Sequence, residues 1–137
     1  MRKRTRSREF TLQILYQIDI TKDAYENCLG NFWDSLSDED IDEDIKSFAN
    51  ELVKGVITNL EHIDARITQH ATNWNLKRMA VVDRNILRLG CFELLFREDI
   101  PPKVSINEAV ELAKKYASIE ASKFVNGILD KIKPEKK

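Results

Sequence analysis

Val104–Ile132, VSINEAVELAKKYASIEASKFVNGILDKI, decides the fold class of this chain. The stretch opens with Ser105-Ile106-Asn107-Glu108, an S-x-x-E capping box. In such a box Ser105 accepts from the Glu108 amide and Glu108 reaches back to the amide of Ser105. Pro101 and Pro102 stop any earlier helix from running through. Ile106, Ala109, Val110, Ala113 and Ala117 then recur at helical spacing as a narrow stripe of small residues. After the interruption Ser118-Ile119-Glu120, a second helix carries Phe124, Val125, Ile128, Leu129 and Ile132 on one face. Gly127 lies inside that helix, where Gly costs roughly 1 kcal/mol relative to Ala, so another backbone is expected to pack closely there. The stretch reads as a helical hairpin within a core.

The same period governs the chain upstream. Val81–Phe96 is apolar nearly all round, which predicts a helix buried on several sides, with Arg84, Arg88 and Glu93 as its polar remainder. Ile45, Phe48, Ala49, Leu52, Val53, Val56, Ile57 and Leu60 make a broad apolar face. Its phase continues through Ile63, Ile67 and Ala71 to Trp74, with a bend near Asn59. Asn73–Asn75 breaks this run, and Leu76–Met79 forms a short turn. A weaker helix is expected over Ala24–Leu36, from Tyr25, Cys28, Leu29, Phe32, Trp33 and Leu36. The first helix is expected from about Thr5–Ser7 to Asp19, with Phe10, Ile14, Leu15 and Ile18 facing the core. The acidic run Ser37–Asp44, SDEDIDED, lacks the Gly of a calcium loop and suits a helix N-terminus capped by Ser37 or Asp38–Asp40.

The totals agree with an all-α chain. With 137 residues, 42% hydrophobic and 33% charged, it is long enough for one domain with a real core. Only 4 Gly and 3 Pro leave few tight turns. No apolar run approaches the roughly 20 residues of a membrane span, so no membrane partner is expected. Cys28 and Cys91 lack C-x-x-C spacing and read as reduced thiols of a cytoplasmic protein. His62 and His70 have no acid or Cys at ligand spacing and make a poor metal site. No phosphate-binding glycine loop, nucleophile elbow or zinc-protease motif is present, so catalysis and cofactors are not expected.

Charge is distributed unevenly. Arg2, Lys3, Arg4, Arg6 and Arg8 are five of the 22 basic residues, and the remaining 17 face 23 acidic ones. The molecule is an acidic body with a basic tip. Cations at a helix N-terminus oppose the macrodipole by about 0.3–1 kcal/mol each when exposed. Two readings stand at this level: a site for an anionic partner, or a frayed and solvated tail. The Lys/Glu-rich end, residues 134–137, is expected to be disordered, and residues 1–5 form the arm of a single domain over 1–137.

Three groups of residues carry a resemblance to a known family. The first is Arg4-Thr-Arg-Ser-Arg8-Glu9 with Leu15-Tyr16. The second is Trp74-Asn-Leu-Lys-Arg-Met79, followed by Val82-Asp83-Arg84-Asn85-Ile86-Leu87-Arg88-Leu89 and Glu93-Leu94. The third is Ile100-Pro101, Ile106-Asn107-Glu108-Ala109, Ala113-Lys114-Lys115-Tyr116 and Lys123-Phe124-Val125-Asn126-Gly127-Ile128-Leu129. Together they resemble the NusB family of bacterial transcription antitermination factors, from about Arg4 to Ile132. Thr21–Asp44 carries little of the likeness.

The resemblance implies the all-α NusB-type fold, about seven helices in two packed helical subdomains. It implies a non-enzymatic factor that pairs with the small-subunit ribosomal protein that doubles as NusE. The pair would bind single-stranded boxA leader RNA of ribosomal RNA operons and act on RNA polymerase with other Nus factors. A homodimer that hides the RNA face is a further assembly the resemblance implies. Carried over by position, RNA contacts fall on Arg4, Arg6 and Arg8 and on Glu120, Lys123 and Phe124. Cations for phosphates and a planar group for stacking suit single-stranded RNA. The spacing of Phe124 with Ile128 also suits a core position, and Glu120 would serve only by accepting from base donors. The NusE face is assigned to the helix bearing Asp83, Arg84, Leu87 and Arg88. The competing reading is a protein-only helical adaptor whose basic arm binds an acidic protein.

Overall fold

Seven α-helices and one 3-10 turn carry the chain in a computed structural model that describes residues 2–71 and 74–134, and no strand occurs among them. The chain divides between Thr58 and Asn59 into two compact units. The first holds α1 (Lys3–Thr21), α2 (Tyr25–Ser35) and α3 (Glu43–Thr58); the second holds α4 (Leu60–His70), a 3-10 turn (Leu76–Arg78), α5 (Val81–Phe96), α6 (Pro102–Tyr116) and α7 (Ile119–Ile132). In place of the expected bend near Asn59 the helix breaks, and Asn59 separates α3 from α4. Asn73 of the expected Asn73–Asn75 break, and all of the expected tail except Pro134, lie outside the described residues.

In the first unit α1 packs on α2 and α3. Phe10, Ile14 and Leu15 of α1 and Phe48, Ala49, Leu52, Val53 and Val56 of α3 are buried. Phe10, Phe32 and Trp33 meet edge to face, with ring centroids 5.1–5.7 Å apart. That geometry adds about 0.5–1.5 kcal/mol per pair beyond burial. The Trp33 indole donates to Asn50 Oδ1 at 2.8 Å, which satisfies its polar end. α1 ends on Lys22 in the left-handed region, φ 60°, its amide bonded to the Ile18 carbonyl. The cap of α3 is Asp42, which accepts from the Asp44 amide at 2.8 Å. The expected caps Ser37 and Asp38–Asp40 precede it in a turn and an irregular stretch.

In the second unit α5 is the central helix, in contact with α4, α6 and α7. Ile86, Leu87, Leu89, Cys91 and Leu94 are buried there. Burial pushes the Cys91 thiol up to about 12, so it stays protonated. Both cysteines are free and buried. Arg88 reaches α4 with two parallel bonds to Asp64, 2.9 and 3.0 Å long, the bidentate geometry in which guanidinium–carboxylate pairs are strongest.

The hairpin of α6 and α7 forms, but two of its expected details do not. Pro102 stands at N1 of α6, where a missing amide hydrogen costs nothing and the fixed φ suits the first turn. Ser105 therefore sits inside the helix rather than at its cap. Its hydroxyl is buried and donates to Glu93 Oε1 of α5 at 2.8 Å. The side-chain cap in this hairpin is Ser118, which accepts from the Ala121 amide at 2.9 Å and opens α7.

The second correction concerns glycine. A Cβ on Gly127 would meet nothing within 4 Å, whereas one on Gly90 of α5 would lie 2.6 Å from Leu129 Cδ1. Gly90 is the close approach, because Leu129 is fully buried and has nowhere to swing. Gly90→Ala is expected to lower stability by about 1–3 kcal/mol through overpacking. Gly127→Ala should raise it by up to about 1 kcal/mol through helix propensity, since no glycine needs positive φ. Urea denaturation of the two variants beside the parent checks both signs.

Candidate nucleic-acid interface

The N-terminal arginines lie on a helix rather than on a loose arm. α1 begins at Lys3, two to four residues before the expected start, and so includes Arg4, Arg6 and Arg8. Its first turn has no acid and no side-chain cap. A hydrogen bond from Ser7 to the Ile45 carbonyl, 2.8 Å, anchors this end to α3. The Arg4 guanidinium lies 4.3 Å from the Phe48 ring centroid and that of Arg8 5.5 Å from it. One aromatic ring therefore supports two cations four residues apart. Arg6 lies over Phe10 at 4.8 Å. Such contacts contribute about 0.5–1 kcal/mol at exposed sites, enough to offset the unfavourable dipole.

Accessibility separates the three. Arg4 and Arg6 are exposed, whereas Arg8 is only 3% exposed. Arg8, expected among the RNA-contacting cations, is instead covered and packed over Phe48. Sequence spacing puts Arg4 and Arg8 on one face but cannot say which is covered. The acidic run also meets this end. Lys3 pairs with Asp42 at 3.0 Å and Asp44 at 3.4 Å. Its hydrogen bond holds Asp42 below the usual carboxylate value, and Asp42 in turn raises the Lys3 amine.

The other residues expected to contact RNA, Glu120, Lys123 and Phe124, belong to the second unit. Glu120 is exposed in the first turn of α7, where an acid suits the dipole. Lys123 is exposed and Phe124 half-buried. Phe124 meets Trp74 edge to face, centroids 5.3 Å apart. Trp74, Gly127 and Lys131 join Lys123 and Phe124 around one surface cavity. Helical phase makes Trp74 the end of a core stripe, yet it is 56% exposed. His70 also lines this cavity, while His62 packs its ring edge to face on Phe96 at 5.5 Å.

The four residues expected to form a partner face on α5 differ in how far they are exposed. Leu87 is 0% exposed and belongs to the core. Arg88 is committed to Asp64 and Asn85 inside the unit. Arg84 donates to the Leu76 carbonyl at 3.3 Å and stays partly exposed. Asp83 is partly exposed too, and burial pushes its carboxyl above the ordinary value. A raised folded-state value means the ionised form is penalised in the fold, and that penalty is relieved as pH falls through the carboxylate range. Asp83→Asn is therefore expected to stabilise the isolated chain slightly at neutral pH, with the gain shrinking towards acid. Urea midpoints at neutral and acidic pH check this.

Comparison with known proteins gives concordant results. The NusB family model matches residues 5–134. The transcription antitermination protein NusB of Thermodesulfovibrio yellowstonii is 44% identical, over 97% of this chain and 93% of that protein. Among solved structures, T. maritima NusB has a TM-score of 0.84 at 39% identity, covering 94% of this chain and 89% of that one. A crystal structure of antitermination factors NusB and NusE in complex with dsRNA also has a TM-score of 0.84, at 33% identity and 96% coverage of both chains. Among the described residues, no helix is long and apolar enough to cross a membrane.

Proposed function

Because the chain belongs to the NusB family, we propose that it is a transcription antitermination factor that binds boxA-type single-stranded RNA together with NusE. It acts by binding rather than catalysis, and delivers the RNA-bound pair to RNA polymerase and the other Nus factors. The observation that carries this reading is the helical N-terminus of α1. There Arg4 and Arg6 are exposed over aromatic rings, in a first turn without a side-chain cap. Amides and guanidiniums that point outward at a helix N-terminus suit phosphate. Lys123 and Phe124 on α7 supply a cation and a stacking surface of the kind single-stranded RNA uses.

The NusE face is proposed at Asp83 and Arg84. A partly buried carboxylate that the fold penalises gains most when a partner brings a cation to it. Co-purification of this chain with its host NusE, with and without a boxA-type RNA, tests the reading. A pair that forms and retains RNA supports it. A chain that captures NusE but never RNA would favour a protein-only adaptor, and one that captures neither would sink the proposal.

A further inference from the structure

We propose that the cavity at Trp74, Phe124 and Gly127 is a pocket for one unpaired nucleobase, stacked on the Trp74 indole with its flanking phosphates on Lys123 and Lys131. The inference rests on the RNA-binding function proposed above and adds to it a specific binding residue, Trp74. Three independent observations point to it.

The first is the exposure of an indole. The chain has two tryptophans. Trp33 is packed among aromatics and its N–H is bonded to Asn50. Trp74 is 56% exposed, and the Phe124 ring braces it edge-on. An aromatic held rigidly by a second ring yet open to solvent is a stacking platform, because every base has a π-face to offer.

The second is the empty position at Gly127. Gly is the poorest helix former after Pro, and no packing within α7 or against its neighbours requires it here. Its missing side chain leaves helical backbone at the edge of a cavity of about 240 Å³. That is below the roughly 300–1,000 Å³ of sites that enclose a drug-sized molecule, so the cavity suits a smaller planar group.

The third is charge. Lys123, Gly127 and Lys131 step by four along one stripe of α7, so a lysine stands on each side of the gap. Both lysines are exposed, and His70 is the other ionisable group in the lining; among the described residues, no carboxylate lines the cavity. Aromatic walls between cations match an anionic polymer with planar groups better than an acidic peptide, which would leave the indole unused.

The test uses the complex of this chain with NusE and a labelled boxA-type RNA, read by anisotropy. Trp74→Ala is expected to weaken RNA binding by roughly 5- to 150-fold, the range for loss of one stacked base. Trp74→Phe should keep most of the affinity. Gly127→Leu, which projects a side chain into the same space, should weaken it as Trp74→Ala does, with unfolding midpoints showing that the variants are folded. A series of RNAs each carrying one abasic position should contain one that costs the parent the same factor and costs Trp74→Ala nothing further. If the parent binds RNA and Trp74→Ala binds it equally well, or every abasic RNA affects the two alike, the pocket is wrong and the RNA-binding function stands. If Trp74→Ala instead loses NusE in the absence of RNA, the cavity serves the protein partner and the proposal fails. No RNA binding by the parent complex overturns both.

Discussion

Phe48→Ala is expected to destabilise the first unit by about 3–5 kcal/mol, the usual range for deleting a buried phenyl ring. Phe48 is buried against α1 and lies beneath the guanidiniums of Arg4 and Arg8. The loss thus combines a cavity with the removal of the surface that makes a cationic first turn tolerable. Phe48→Leu separates the two contributions. It keeps most of the apolar volume and removes the π-face, so it should fold with a smaller penalty, about 1–2 kcal/mol, while Arg4 loses its support. Urea denaturation followed by Trp33 fluorescence in a Trp74→Phe background reports on this unit, because Trp33 packs within it.

Glu93→Ala should cost the second unit about 3–4 kcal/mol. The Ser105 hydroxyl donates to Glu93 and both residues are 1% exposed, so no water is at hand to replace the lost acceptor. An unsatisfied buried hydroxyl costs roughly 1–3 kcal/mol, and the cavity left by the side chain adds a similar amount. Glu93→Gln retains an oxygen for Ser105 and should cost clearly less. A double-mutant cycle with Ser105→Ala should return a coupling of about 0.5–3 kcal/mol, as for other residues in one hydrogen-bond network. Zero coupling would show that the pair does not stabilise the α5–α6 contact.

These two pairs mark where sequence reading succeeds and where it stops. Helical periodicity places α5 at Val81–Phe96, as observed, and marks a bend near Asn59, where two helices in fact meet, because both depend only on local pattern. It cannot rank the faces of a helix that is apolar all round, so it leaves Leu87 open to a partner although Leu87 is core. The S-x-x-E motif at Ser105 misleads because Pro102 at N1 starts α6 earlier, which turns Ser105 inward onto a glutamate twelve residues upstream. Gly127 and Gly90 are each interior helix glycines; only the position of Leu129 shows which one meets a neighbour. Hydropathy also misjudges exposure at one position in each unit: Arg8 of the first is covered and Trp74 of the second is exposed. For Phe124 the two readings differ: periodicity puts it on the core face of α7, and only the family resemblance suggests an RNA contact there.

The arginines offer the most direct test. Binding of boxA-type RNA to the chain with NusE can be followed between about 50 and 200 mM salt, where counterion release dominates the response. The parent is predicted to show a slope of log affinity against log salt steeper than that of Arg4→Ala/Arg6→Ala by about 1.4, roughly 0.7 for each single-strand phosphate that the variant no longer neutralises. A double variant that binds with the parent's affinity and the parent's slope would contradict the assignment of RNA phosphates to this helix end.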